Sequence, residues 1–213
     1  MKYYPAFLNI SGKKAVVVGG GAVAERKVLA LIKAGAVVTV ISPMLTPKLS
    51  REKDKNAIRH IRRGYRKGDL SGSFLVIAAT DTPDVNSRVA RDAPSPVNVV
   101  DVPQECTFIA PAVFRRGPLT IAVSTGGHSP AFARTLRKEL ERICGPDLGE
   151  YLTFLGALRK KACAEVSDRV KREQFLKDLA SEQVLQLLRT KGLAQAKKAA
   201  EKELRSLIAS CCS

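Results

Sequence analysis

The sequence predicts an α/β protein: a doubly wound parallel sheet, then a small α+β region, then a helical C-terminal region. Three observations carry this. Short apolar, β-branched runs alternate with helical patterns between residues 15 and 100. A run of three glycines stands directly between the first strand and the first helix. Beyond Cys144 the chain turns helix-forming and charged, with leucines at helical spacing. A length of 213 residues suits one large domain or a core domain with an appendage.

Residues 15–18 form the first strand. Gly19, Gly20 and Gly21 follow at once, and Val23, Leu29, Leu31 and Ile32 then recur with helical spacing until Gly35 ends the helix. Residues 37–41 are a second buried strand, which completes a β-α-β unit. Within it Gly19, Gly21 and Ala24 spell G-x-G-x-x-A. Gly19 permits the tight turn, Gly21 lets the backbone approach a pyrophosphate, and the small Ala24 lets the helix pack closely on the strand. The helix N-terminus then offers free N–H groups to the anion. In this strand-to-helix context the motif points to a Rossmann-type dinucleotide site; the plainer alternative is a glycine-rich turn with no ligand.

The dinucleotide fingerprint places an acidic residue at the end of the second strand, where it takes the ribose hydroxyls of NAD. Here that stretch reads Ile41, Ser42, Pro43, Met44. Ser42 is a candidate ribose contact, and Pro43 and Met44 are a candidate wall for the adenine. The motif does not separate NAD from NADP, and the nearest arginines, Arg26 and Arg51, are not placed to argue for a 2′-phosphate.

A third strand is predicted over residues 57–62 and a fourth over 74–79, ending in Thr80 and Asp81. A short helix over 85–90 and a fifth strand over 97–100 follow, and the latter ends in Asp101. In a parallel doubly wound sheet the carboxyl ends of the strands share one crevice, so Thr80 and Asp101 fall on the edge that carries Gly19 to Gly21. A carboxylate emerging from an apolar strand end is partly desolvated and is a candidate acid or base. Equally, Asp101 is a candidate cap for the segment of Val102, Pro103 and Gln104.

After Asp101 the pattern changes. Residues 107–114 and 119–124 read as a hairpin joined by Arg115, Arg116, Gly117 and Pro118. The loop Thr125, Gly126, Gly127, His128, Ser129 leads into an amphipathic helix over residues 131–143, with Ser129 as N-cap and Pro130 at the first helical position. This second helix N-terminus is suited to a carboxylate or phosphate; it is equally an ordinary capped loop. In the last third, Leu152, Leu155, Leu158, Leu176, Leu179, Leu185 and Leu188 mark helix packing stripes.

Charge narrows the partner. Lys and Arg number 36 against 20 Asp and Glu, a net +16 with a pI near 9.9. Such an excess suits an anionic partner, and composition alone leaves nucleic acid, a membrane surface and a polyanionic small molecule open. With no Trp and 5% aromatics, stacking platforms for single-stranded nucleic acid are scarce. The excess is dispersed: residues 51–67 carry eight basic and two acidic side chains, residues 151–213 thirteen and seven. A plain solvated basic surface accounts for any one cluster equally well. Five cysteines without a CxxC pair, among them Cys211 and Cys212, suit a reducing compartment. The two histidines, His60 and His128, have no second His or Cys at ligand spacing, so no resident metal site is expected. No apolar run reaches transmembrane length and the start lacks a secretory pattern, so a cytoplasmic protein is expected.

Five ordered blocks carry a family resemblance. They are Pro5 with Phe7, the run from Val17 through Gly19, Gly20, Gly21, Val23 and Ala24 to Lys27, the run Ala78 to Asp81, the run Asn98 to Asp101, and the run Ala122 to Pro130. Together they resemble the precorrin-2 dehydrogenase and sirohydrochlorin ferrochelatase family, the N-terminal part of siroheme synthase. The likeness covers roughly the first 150 residues; two departures are His128 at the variable position of its block and Thr125 in place of a common serine. The resemblance implies a Rossmann domain over residues 1–112, a dimerisation region of hairpin and helix over 113–145, and a helical region over 146–213. It implies NAD-dependent oxidation of precorrin-2 to sirohydrochlorin, with Fe²⁺ as a substrate ion for siroheme formation in bifunctional members. It assigns Asp101 to catalysis, Ala22, Val23, Pro43 and Met44 to nucleotide contacts, and a homodimer as the working form. The methyltransferase domain fused to some members is not expected in 213 residues. A polycarboxylate tetrapyrrole also accounts for the basic charge. The rival class is an NAD(H)-sensing or nucleic-acid-binding regulatory module.

Overall fold

The structure is a computed structural model that describes residues 3–209; the Cys211 and Cys212 pair lies outside them. The chain divides into two compact units, one running to Ala110 and the other starting at Pro111.

The first unit is a five-stranded parallel sheet in the order β3-β2-β1-β4-β5, built from β1 (Lys14–Val18), β2 (Val37–Ile41), β3 (Ile58–Ile61), β4 (Leu75–Ala78) and β5 (Val97–Val99). Both faces are covered, which is why the strands read as continuous apolar runs and not as alternating ones. Ala15 and Val17 pack toward α1 (Ala22–Lys33) and α2 (Pro47–Asp54), alongside Ala24, Val28 and Leu49. Val16 and Val18 pack on the other face, against Val89 of α3 (Pro83–Asp92) and Leu70. α1 ends in a Schellman motif: the Ala36 amide donates to Leu31 O and the Gly35 amide to Ile32 O, with Gly35 at φ +81°.

The helix α2 has no counterpart in the sequence expectations. Its start is written locally, since the Thr46 hydroxyl accepts from the Leu49 amide and Pro47 occupies the first turn. Its apolar face is a single buried residue, Leu49, too little to show as a periodic stripe.

The expected strand over 107–114 is corrected at its first half. β5 is an edge strand, and residues 106–108 spend their hydrogen bonds covering that edge. Thr107 N donates to Val97 O at 2.9 Å and Val97 N to Thr107 Oγ1 at 2.7 Å, while Asn98 Nδ2 donates to Phe108 O at 3.1 Å. A mixture of backbone and side-chain groups thus takes the place of a sixth strand and blunts an edge that would otherwise offer unpaired groups.

In the second unit the hairpin is β6 (Ala112–Arg116) with β7 (Leu119–Val123), antiparallel and joined by Gly117 and Pro118. Arg116 pairs with Leu119, so the connection is a two-residue turn; Gly117 at φ +53° gives it the handedness that matches strand twist. α4 (Pro130–Ile143) follows, then α5 (Pro146–Glu165), α6 (Arg169–Asp178) and α7 (Glu182–Ala209), the last interrupted at Gly192. A backbone-to-backbone contact pins the hairpin tip to α5: a Cβ on Gly117 would stand 2.8 Å from Gly149 O, and one on Gly149 would stand 2.8 Å from Arg116 C. Of the expected leucine stripe, Leu158, Leu179 and Leu188 are buried and Leu155 and Leu176 pack beside them, whereas Leu185 is exposed.

Candidate active site

Strand register sets the site. Val18 stands level with Ile41 and with Ala78, and Ala78 with Val99. Gly19, Ser42, Thr80 and Asp101 therefore leave the sheet along one edge, the position at which open α/β sheets bind ligands.

The three glycines have three different reasons to be glycine. Gly19, at φ +124°, would place a Cβ 2.1 Å from Ala79 O, and Gly20 would place one 2.0 Å from Met44 O. Both are demanded by the fold itself. Gly21, in contrast, has extended backbone at φ −82° and meets nothing within 4 Å. As N-cap of α1 it borders an open space onto which the first-turn N–H groups, including those of Ala22 and Val23, are directed without intrahelical partners. This is a cradle a side chain would fill, so a pyrophosphate fits it. Gly20 was not singled out from the sequence, because the glycine motif treats its position as variable.

Around the cradle, Ser42 differs from expectation. It is 4% exposed, its hydroxyl donates to Met44 O at 2.7 Å, and His60 Nε2 stands 2.9 Å from its carbonyl oxygen. The hydroxyl is thus turned inward and its proton is spent on Met44 O, so the ribose contact expected of Ser42 would use its oxygen as an acceptor. Pro43 and Met44 are exposed, Met44 at 78%, as a wall for a flat ring requires. Thr80 is fixed by the buried Asn86, whose Oδ1 accepts from the Thr80 amide at 3.1 Å and hydroxyl at 2.8 Å, and whose Nδ2 donates to Thr80 O at 3.0 Å. Sequence reasoning missed Asn86; its signal is an amide facing inward from an otherwise apolar helix side.

Asp101 sits in a turn at φ +62°, a left-handed conformation that aspartate tolerates better than most residues. It is exposed, and among the described residues its carboxylate accepts no hydrogen bond. The expected partial desolvation is corrected: the turn lifts the carboxylate off the apolar strand end into solvent. Nor does it cap, for the 3-10 turn Pro103–Glu105 begins after Val102 without a side-chain bond. A buried thiol closes the loop behind it. The Val99 amide donates to Cys106 Sγ at 3.1 Å, and the thiol lies 3.1 Å from Val99 O and 3.3 Å from Val102 O, so the loop's two ends are tied at one atom.

The loop 125–129 belongs to the second unit. Its hydroxyls are used locally: Thr125 Oγ1 accepts from the Ser129 amide at 3.0 Å, and Ser129 Oγ accepts from the Phe132 amide at 3.2 Å as N-cap of α4. Gly126 and Gly127 have φ of +63° and +94°, and with His128 they are exposed. Among the described residues no three His, Cys, Asp or Glu side chains form a metal-holding group.

Comparison with known proteins agrees with this geometry. Residues 6–112 match a family described as "Putative NAD(P)-binding", and residues 116–143 match "Sirohaem biosynthesis protein central". The chain belongs to the family described as putative NAD(P)-binding, which matches half of it, and its next segment resembles the central part of siroheme biosynthesis proteins. It is 39% identical over 209 residues to a siroheme synthase of Thioalkalivibrio sulfidiphilus, covering 97% of this chain and 43% of that protein. To a siroheme synthase of Methylobacillus flagellatus it is 41% identical over 182 residues, 84% and 39% of the two chains. This chain thus spans about two fifths of the curated relatives it matches. The solved structure of SirC, a precorrin-2 dehydrogenase, superposes with a TM-score of 0.80 at 25% identity, covering 94% of this chain and all of that one. The first of these alignments passes well beyond Gly149, where the motifs quoted above end.

Proposed function

We propose that this protein oxidises precorrin-2 to sirohydrochlorin with NAD⁺. The observation that carries the reading is the pairing, on one sheet edge, of the open Gly21 cradle with the carboxylate of Asp101 in its fixed left-handed turn. Similarity to SirC, a precorrin-2 dehydrogenase, and to siroheme synthases supports the substrate class. When bound, the nicotinamide supplies the two-electron acceptor. Gly21, Ala22 and Val23 hold the pyrophosphate, Pro43 and Met44 wall the adenine, and Thr80 lines the edge between cradle and carboxylate. Asp101 takes the proton that leaves the macrocycle, and the loop Thr125 to Ser129, with Gly126, Gly127 and His128 exposed, meets the substrate's carboxylates. Fe²⁺ enters as a substrate ion in a second step, insertion into sirohydrochlorin. The cytoplasm is the proposed compartment, consistent with the free thiols of Cys106, Cys144 and Cys163; no described helix is long and apolar enough to cross a membrane.

Purified protein given precorrin-2 with NAD⁺ or NADP⁺ tests the whole reading. We expect sirohydrochlorin to form with NAD⁺ at least tenfold faster than with NADP⁺, and addition of Fe²⁺ to give the siroheme spectrum faster than a protein-free control. Absence of NAD⁺-dependent oxidation overturns the dehydrogenase reading; an unaccelerated siroheme spectrum removes the second step alone.

A homodimer through α4 is part of the proposal. Phe132, Leu136 and Ile143 fall along one side of that helix and are 61%, 39% and 60% exposed. An apolar stripe so uncovered suits a second copy of itself. Sedimentation should show a dimer, and Phe132→Asp together with Ile143→Asp should weaken it by roughly a hundredfold; a monomeric wild type sinks this part.

A further inference from the structure

Asp101 accepts no hydrogen bond among the described residues, so the backbone that carries it decides where its carboxylate stands. That backbone is tied at two points. The Cys106 thiol closes the loop on itself, between Val99 and Val102. The other tie reaches a different element: Ser87 Oγ, on α3, donates to Glu105 Oε1 at 2.7 Å. Only Val102, Pro103 and Gln104 stand between Asp101 and Glu105, and the Glu105 amide donates to Val102 O at 3.1 Å. A shift of Glu105 is therefore passed to Asp101 along a short, hydrogen-bonded segment. Cys106 fixes the shape of the loop, and Glu105 fixes its place against the helix.

The second oxygen of the same carboxylate shows that packing is not the reason for it. Glu105 Oε2 is buried and, among the described residues, has no hydrogen-bond partner. A carboxylate oxygen held out of water and unpaired is destabilising, so for stability alone an apolar side chain would serve better. An orphaned polar atom in a native fold calls for a reason, and such unfavourable features gather at functional sites.

We propose that Glu105 is a positioning residue, whose bond to Ser87 sets the turn that aims the Asp101 carboxylate at the substrate. This rests on the reading of Asp101 as the base and deepens it by naming the group that places it. The demand on placement is steep, since a displacement of about 1 Å costs up to roughly a hundredfold in rate.

Glu105→Leu and Glu105→Gln provide the test. Leucine fills the space and removes both the bond and the orphaned oxygen, whereas glutamine keeps an oxygen for Ser87. Where leucine unfolds the loop, Ser87→Ala removes the same bond and should give the same loss. Thermal unfolding, NAD⁺ binding, and kcat and KM for precorrin-2 are measured. Glu105→Leu should unfold no earlier than wild type and bind NAD⁺ within about twofold, yet lose roughly ten- to thirtyfold in kcat. Glutamine should recover most of that loss. In an Asp101→Asn background the leucine should cost nothing further, because Glu105 acts only through Asp101. A kcat within about twofold of wild type in both Glu105→Leu and Ser87→Ala overturns the assignment, as does a loss that glutamine does not restore. A further loss in the Asp101→Asn background overturns it too, since Glu105 would then act on the reaction directly. A wild type that does not oxidise precorrin-2 overturns the dehydrogenase reading itself, and it is seen before any variant is made.

Discussion

Asp101→Asn should lower the turnover of precorrin-2 by roughly a hundredfold or more while NAD⁺ binding stays near that of the wild type. The asparagine is chosen for its backbone. Asp101 stands at φ +62°, where most side chains meet the adjacent carbonyl, and asparagine shares with aspartate the ability to sit there. Alanine would combine loss of the carboxylate with about 1–2 kcal/mol of left-handed strain, so a fall in activity would have two causes. With asparagine the turn tied by Cys106 is preserved, and only the capacity to accept a proton goes. Single-turnover oxidation, followed by the sirohydrochlorin absorbance, isolates the chemical step from product release. A near-normal single-turnover rate in Asp101→Asn would remove the base from Asp101 and leave the carboxylate a role in binding only.

The parts of this site that were legible in the sequence are those in which backbone geometry and residue type coincide. Buried strands had to be continuous apolar runs because helices cover both faces of a parallel sheet, and β1, β2 and β4 read that way at once. Ser129 and Pro130 announced α4 because an N-cap hydroxyl and a proline are local in their effect. What stayed hidden depends on long-range partners. The polar partner of Ser42 across the sheet is His60, eighteen residues away on the neighbouring strand, whose Nε2 stands 2.9 Å from the Ser42 carbonyl oxygen and 3.3 Å from its hydroxyl. The loss of strand structure at Thr107 follows from the open edge of β5, which no local pattern records. Gly149 looks like an ordinary helix residue until the hairpin tip is brought against it. Asp101 illustrates both sides: its place at a strand end was readable, whereas its exposure depended on a turn that a string of residue types does not describe.

Gly20 and Gly21 make the sharpest separation between fold and function, because they are adjacent and their surroundings are opposite. Gly20→Ala should disrupt the fold. Its Cβ would stand 2.0 Å from Met44 O and 2.6 Å from Ser42 Oγ, and the nearer atom is backbone, which cannot rotate away. The strand exit after β2 or the turn after β1 must then move, at the ~1–3 kcal/mol typical of overpacking or above it. Gly21→Val should leave the fold intact, since extended backbone at φ −82° suits any residue and no atom lies within 4 Å of the new Cβ. Its effect on thermal unfolding should be about 1 kcal/mol, the size of an apolar residue at a helix N-cap. Yet the same side chain would occupy the space in front of the first-turn N–H groups of α1, so NAD⁺ binding should weaken by more than roughly a hundredfold. Thermal unfolding with and without NAD⁺ reads both quantities in one experiment: wild type gains stability from the cofactor, and Gly21→Val should melt at one temperature, a little below that of the apo wild type, at every NAD⁺ concentration. Retained NAD⁺ stabilisation in Gly21→Val would mean that the pyrophosphate does not lie against this glycine, and the cradle would have to be sought elsewhere along the sheet edge.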